Sequence, residues 1–165
     1  MSRWLKLFVL LPLLLAGCGD DKTGPGKVHI GRDMCERCRM VISDVKFVSQ
    51  VRGGPLMHHM NFDDIGDAVT WLNKQPWAAK PETEIWVMDY ESGTDWLPAR
   101  NAHYVEGYMS PMAYGYAAFK EKKENSVDFR TMVERVLKEK VMINCDPLDL
   151  EEHAEAEVKN KIGIN

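Results

Sequence analysis

Between Lys46 and Lys123 the chain runs twice through the same order of segments, and that order leaves few folds open. "KFVSQV" (46–51) is rich in β-branched and aromatic residues and reads as a strand. Gly53-Gly54 marks a hairpin turn, and "LMHHMNF" returns as its partner. "FDDIGDAVTWLN" then spaces Ile65, Ala68, Val69 and Leu72 along one helix face, with Asp63 or Asp64 placed to cap its start. Beyond the proline-interrupted stretch Lys74–Glu84, "IWVMDY" (85–90), a turn at Ser92-Gly93 and "TDWLPA" make a second strand pair, with "HYVEG" a further short strand. Ser110 followed by Pro111 predicts a helix running to about Lys123. Another helix, over about 129–138, is capped by Asp128 and presents Phe129, Val133, Val136 and Leu137, and "VMI" at 141–143 reads as a short strand. A strand pair and a helix each have one apolar face, and they bury it against one another. The order therefore predicts an α+β protein of two small tandem strand-strand-helix subdomains, 34–75 and 85–144, joined by a linker at 76–84 and sharing a cleft.

The N-terminus sets the compartment. A basic start (Arg3, Lys6) leads into an apolar run from Leu7 to Ala16, interrupted by Pro12 and about half the length needed to cross a bilayer as a helix. It ends in Leu15-Ala16-Gly17-Cys18, which resembles a bacterial lipobox. That pattern predicts a signal peptide at 1–17 and acylation of Cys18 at a membrane face, inner or outer, on the periplasmic side. Residues 18–33 are Gly/Lys/Asp-rich and predict a flexible tether, and Cys145-Asp146-Pro147 opens a polar tail at 145–165. Deleting Arg3 and Lys6 from the 21 basic residues leaves 19 against 25 acidic ones, a mature charge of −6. Such a surface offers nucleic acid no footprint. Export places the thiols in an oxidising compartment.

Soft donors stand out in the remainder. Cys35-Glu36-Arg37-Cys38 has the spacing of half a tetrahedral zinc site, but the chain holds no second such pair, so zinc would have to recruit Cys145 or His58. A redox dithiol of this spacing is expected to follow a strand and open a helix, and here it follows the tether. In an extended segment Cys38 and Met40 point the same way, and thiolate with thioether favours Cu(I) over Mg²⁺ or Ca²⁺. Met40 also suits plain core packing. Met88, Met132 and Met142 fall in patterns consistent with burial. Met109 and Met112 flank Ser110-Pro111, where a side chain can face the cleft. His58 and His59 alternate across a strand, so at most one faces any given site, and His103 opens a strand beside Tyr104.

These residues together resemble the NosL family, accessory lipoproteins of nitrous-oxide reductase that resemble copper chaperones. The marks are the lipobox at Cys18, "CERCRMVISD" (35–44), "FDDI" (62–65), "DW" (95–96) with "ARNAHYV" (99–105), and "SPMAYGYAAF" (110–119). The resemblance implies an exported, lipid-anchored protein that binds Cu(I) and serves assembly of the copper centres of nitrous-oxide reductase or a similar exported copper enzyme. It also implies two small α+β domains related to the organomercurial lyase fold, and metal ligation by Cys38, Met40 and Met112. Cys35, His58, Met109 and His103 are further candidate ligands. No catalytic activity is expected. Two other functions compete with this one: a structural or interaction lipoprotein with a disulfide or zinc clip at Cys35 and Cys38, and an organomercurial-lyase-like enzyme using both thiols and an acid such as Asp44.

Overall fold

The protein is represented by a computed structural model that describes residues 23–138. The expected signal peptide, Cys18, Met142, the strand expected at 141–143, Cys145 and the expected polar tail all lie outside the described residues. Strands β1 (Ser49–Gly53) and β2 (His58–Phe62) form the expected hairpin, turning through Gly54 at φ +76° and Met57 at φ +51°. Helix α1 (Ile65–Asn73) follows directly, and Asp64 caps it by accepting the Gly66 N–H at 2.9 Å. Then come β3 (Glu84–Met88), β4 (Trp96–Pro98), a single 3-10 turn at Ala99–Asn101, β5 (His103–Glu106), β6 (Tyr116–Phe119) and α2 (Phe129–Lys138). Asp128 caps α2 by accepting the Thr131 N–H at 2.8 Å.

The class is α+β, with small strand and helix units and two sheets. One sheet has four strands in the order β2-β1-β3-β4, all antiparallel, and the other pairs β5 with β6. Strands from both halves of the chain thus share a sheet, with Ser49 opposite Val87 and Val51 opposite Ile85 across the β1–β3 ladder. These side chains meet the Ile65, Ala68, Val69 and Leu72 stripe of α1, and Met132 and Val136 of α2 close the same core. Leu137, expected on that face, is exposed, and Met132 takes the buried place.

Two expectations are corrected. The helix predicted from Ser110 to about Lys123 is a turn followed by β6. Ala113 at φ +60° and Gly115 at φ +77° are left-handed, which no right-handed helix accommodates. Past them the side chains alternate between two cores. Tyr116 and Ala118 join the main cluster, while Ala117 and Phe119 join a smaller one with Phe47. Pairing with β5 and burial on both faces override the helical preference of a proline start. The second correction concerns the tether. Residues 23–28 are laid as a strap along the outer face of the four-stranded sheet. Gly24 N–H donates to Glu84 Oε2 at 2.7 Å, the Gly24 carbonyl is 3.0 Å from His59 Nε2, and Gly26 N–H donates to Gln50 Oε1 at 2.8 Å. The strap explains why β1 is buried along its whole length: α1 covers one face and the strap covers Gln50 and Arg52 on the other.

Candidate metal site

The Cys35–Met40 segment is a tight loop. The backbone N–H of Cys35 donates to the Met40 carbonyl at 2.8 Å, that of Arg39 donates to the Cys35 carbonyl at 3.0 Å, and Met34 pairs with Val41 across the neck. Arg39, at φ +61°, makes the reversal. The segment is therefore not extended, and the geometric reason for Cys38 and Met40 sharing a side does not hold. What the loop does is bring the two sulfurs together. Cys38 N–H points at Cys35 Sγ over 3.4 Å, and both residues are thiols, with no disulfide between them.

The start of α1 holds this loop from beneath. Glu36 N–H donates to the Asn61 carbonyl at 2.7 Å, and Asp63 Oδ1 accepts the Ser43 N–H at 3.2 Å. Asp67, in the first helical turn and fully buried, accepts the Cys35 thiol on Oδ2 at 3.3 Å and Arg37 Nη1 on Oδ1 at 2.7 Å. Donor atoms of Cys35, Cys38 and Asp67 lie within 4.8 Å of one another. Burial pushes the Cys35 thiol well up, and the N–H groups of Cys38 and Asp63 directed at its sulfur act only partly against that. Cys35 is accordingly a protonated donor to Asp67, whereas Cys38 is half-exposed.

The turn at 110–115 packs on the same helix start. Ser110 Oγ donates to Asp64 Oδ2 and accepts the Gly115 N–H at 2.9 Å, and the Met112 backbone also bonds the Asp64 carboxylate. Burial lifts Asp64 to about 6 against these bonds. The Tyr114 ring lies flat against Gly66, and its hydroxyl is 3.2 Å from Arg37 Nη1 and 3.4 Å from Thr70 Oγ1. Arg37 thus ties the cysteine loop, α1 and the 110–115 turn together.

Of the predicted site residues, the structure brings Cys35 and Cys38 together, and it buries Met112 (1% exposed) in the cluster that holds Cys35 and packs against Cys38. Met40 is 47% exposed on the loop, and Met109 is 96% exposed beside the turn. His58 lies opposite Gly53 at the far end of the hairpin from the cysteine loop, and His103 pairs with Phe119 in the second sheet. Neither is in the cluster. Asp44 accepts the Lys46 N–H and is not in it either, and the carboxylate beside the thiols is Asp67. Sequence reasoning missed Asp67 because it sits on α1 roughly opposite the apolar stripe, where a charged residue ordinarily meets water. The available signal was the Asp63-Asp64-x-x-Asp67 run, with one more carboxylate than a cap needs.

Two thiols and a carboxylate held at one helix start, on a small α+β scaffold with two sheets, form a cluster that could hold a metal ion. The chain belongs to the NosL family, whose model matches residues 28–131. That family is one of accessory proteins rather than catalysts. No curated protein matches the chain.

Proposed function

We propose that this protein is a membrane-anchored, periplasm-facing Cu(I)-binding accessory protein that delivers copper during assembly of nitrous-oxide reductase or a similar exported copper enzyme. The observation that carries the reading is a half-exposed Cys38 thiol held at the cluster of Cys35 and Asp67. Cu(I), the cargo, takes Cys38 as its anionic ligand, with Met112 from the neighbouring turn and Met40 from the exposed loop as thioethers. Charge supports a monovalent ion. Arg37 offsets Asp67, and Cys35 keeps its proton, so a Cys38 thiolate is the one negative charge among these groups that Cu⁺ then neutralises. A half-exposed, low-coordinate site lets a partner's sulfur or imidazole add at Cys38 before the first ligands leave. The membrane anchor is Cys18; among the described residues no helix is long and apolar enough to cross a membrane.

Anaerobic competition against a colorimetric Cu(I) chelator tests the metal. Wild type takes up about one Cu(I) per chain, and Cys38→Ala weakens binding most. Met112→Leu, which removes the thioether and keeps the volume, weakens it by about tenfold or more, roughly 1.4 kcal/mol. Met57→Ala leaves it unchanged. Copper transfer to purified copper-free nitrous-oxide reductase tests the client. The oxygen donor of Asp67 favours a second reading, a zinc clip of Cys35, Cys38 and Asp67, which requires the Cys35 proton to leave. Retention of Zn²⁺ under equimolar Cu(I), lost in Cys35→Ser, would replace the copper reading with that one.

A further inference from the structure

The start of the strap and the cysteine loop lie at opposite ends of the same sheet. Gly24 is fastened to Glu84 and His59, which flank Arg52 in the row next to the hairpin turn. Gly26 is fastened two rows on, at Gln50. The chain then continues past the Phe62 end of the hairpin, where Gly31 N–H bonds the Ile42 carbonyl and the cysteine loop begins. Only residues 19–22 separate Cys18 from Thr23, so those two are at most about 17 Å apart even in a fully extended chain.

We propose that the hairpin end of the domain rests on the lipid surface, and that the cysteine loop faces away from it toward a partner in the aqueous phase. The inference rests on Cys18 being the acylated anchor. The surface of that end suits a bilayer interface. Leu56, at the tip, is 76% exposed. Trp77 packs over Gly53 and Gly54 beside it, so closely that a Cβ at Gly53 would come within 2.4 Å of the ring. Exposed Lys80 follows on the same turn segment, paired with Glu82 at 3.9 Å. An aromatic ring and an apolar tip match what the headgroup region accepts. The contact is small, and for a free protein it would be weak. A short covalent tether turns it into an intramolecular contact at high effective concentration. The opposite end carries exposed Met34, Met40 and Val41 around half-exposed Cys38, an apolar rim suited to a protein face.

Hydrogen–deuterium exchange on the full-length acylated protein in phosphatidylcholine vesicles tests the orientation, with a soluble variant that starts at Gly19 and the same vesicles as reference. The expected result is several-fold slower exchange over 53–59 and 76–82, with 34–41 unchanged. A Gly/Ser spacer of about 20 residues inserted before Thr23 relieves that protection without affecting acylation, because the leash no longer enforces contact. Protection of 34–41 by the bilayer, or hairpin exchange equal to that of the soluble variant, overturns the orientation. The mass of the N-terminal peptide is read in the same experiment; an unacylated Cys18 overturns the anchor itself and the orientation with it.

Discussion

At the scale of single residues, the helix start beneath the cysteines is the most constrained place in the molecule. Gly66 leaves room for the Tyr114 ring, and a Cβ there would sit 2.0 Å from it. Alanine gains about 1 kcal/mol in helix propensity, but displacing a packed ring and its Arg37 contact costs about 1–3 kcal/mol. Gly66→Ala is therefore expected to lower the urea midpoint, and an equal or higher midpoint would show that the ring swings away freely. Asp64 makes a pH prediction. Burial raises it to about 6, above the ordinary carboxyl value of about 4, so the folded state holds its proton more tightly than the unfolded chain. Its contribution is fully present below about pH 4 and is lost as pH rises through about 6. Asp64→Asn keeps the capping oxygen and has no proton to lose. Plotted against pH, wild-type stability should fall relative to this variant across that window and run parallel to it on either side. Parallel curves throughout would mean that Asp64 binds its proton equally in the folded and unfolded states.

At the scale of elements, the 110–119 segment decides how the second sheet forms. Gly115 holds a left-handed backbone at φ +77° and releases the chain into β6. A side chain there is strained, so Gly115→Ala is expected to cost about 1 kcal/mol or more. It should also loosen the Ser110–Asp64 contact, visible as a shifted Gly66 amide resonance. A variant as stable as wild type would show that the turn can be rebuilt without its left-handed residue.

For the whole molecule, the strap lies over a buried cation that the described residues do not fully satisfy. Arg52 is 6% exposed, and its Nε and Nη1 have no hydrogen-bond partner among the described residues. Desolvating an uncompensated charge is unfavourable, and apolar replacement of buried ionic groups is often neutral or stabilising by about 1–4 kcal/mol. Arg52→Met should therefore raise the denaturation midpoint, and a clear loss would reveal an interaction of the guanidinium beyond packing. Copper acts at the same scale. A metal that binds only the assembled loop, helix start and 110–115 turn stabilises all three by mass action, by about 2.7 kcal/mol at a free concentration 100 times Kd. Anaerobic melts should show Tm rising with Cu(I), and no rise in Cys38→Ala.

The local segments were legible in the residues themselves. The β1–β2 hairpin, α1 with its Asp64 cap, β3, and α2 with its Asp128 cap follow from periodicity, turn residues and capping side chains, all of which act over a few positions. The proximity of Cys35 to Cys38 followed from their spacing. Three features depended on distant partners. Tyr116–Phe119 is a strand because β5 pairs with it and two cores divide its side chains, although a serine-proline start favoured a helix. Residues 23–28 are a strap because Glu84, His59 and Gln50 supply backbone partners that no composition rule reveals. Asp67 joins the thiols because the cysteine loop and Tyr114 cover a helix side that its own periodicity leaves to solvent. Periodicity reports which face of an element avoids water, but what covers the other face is set by segments far away in the chain.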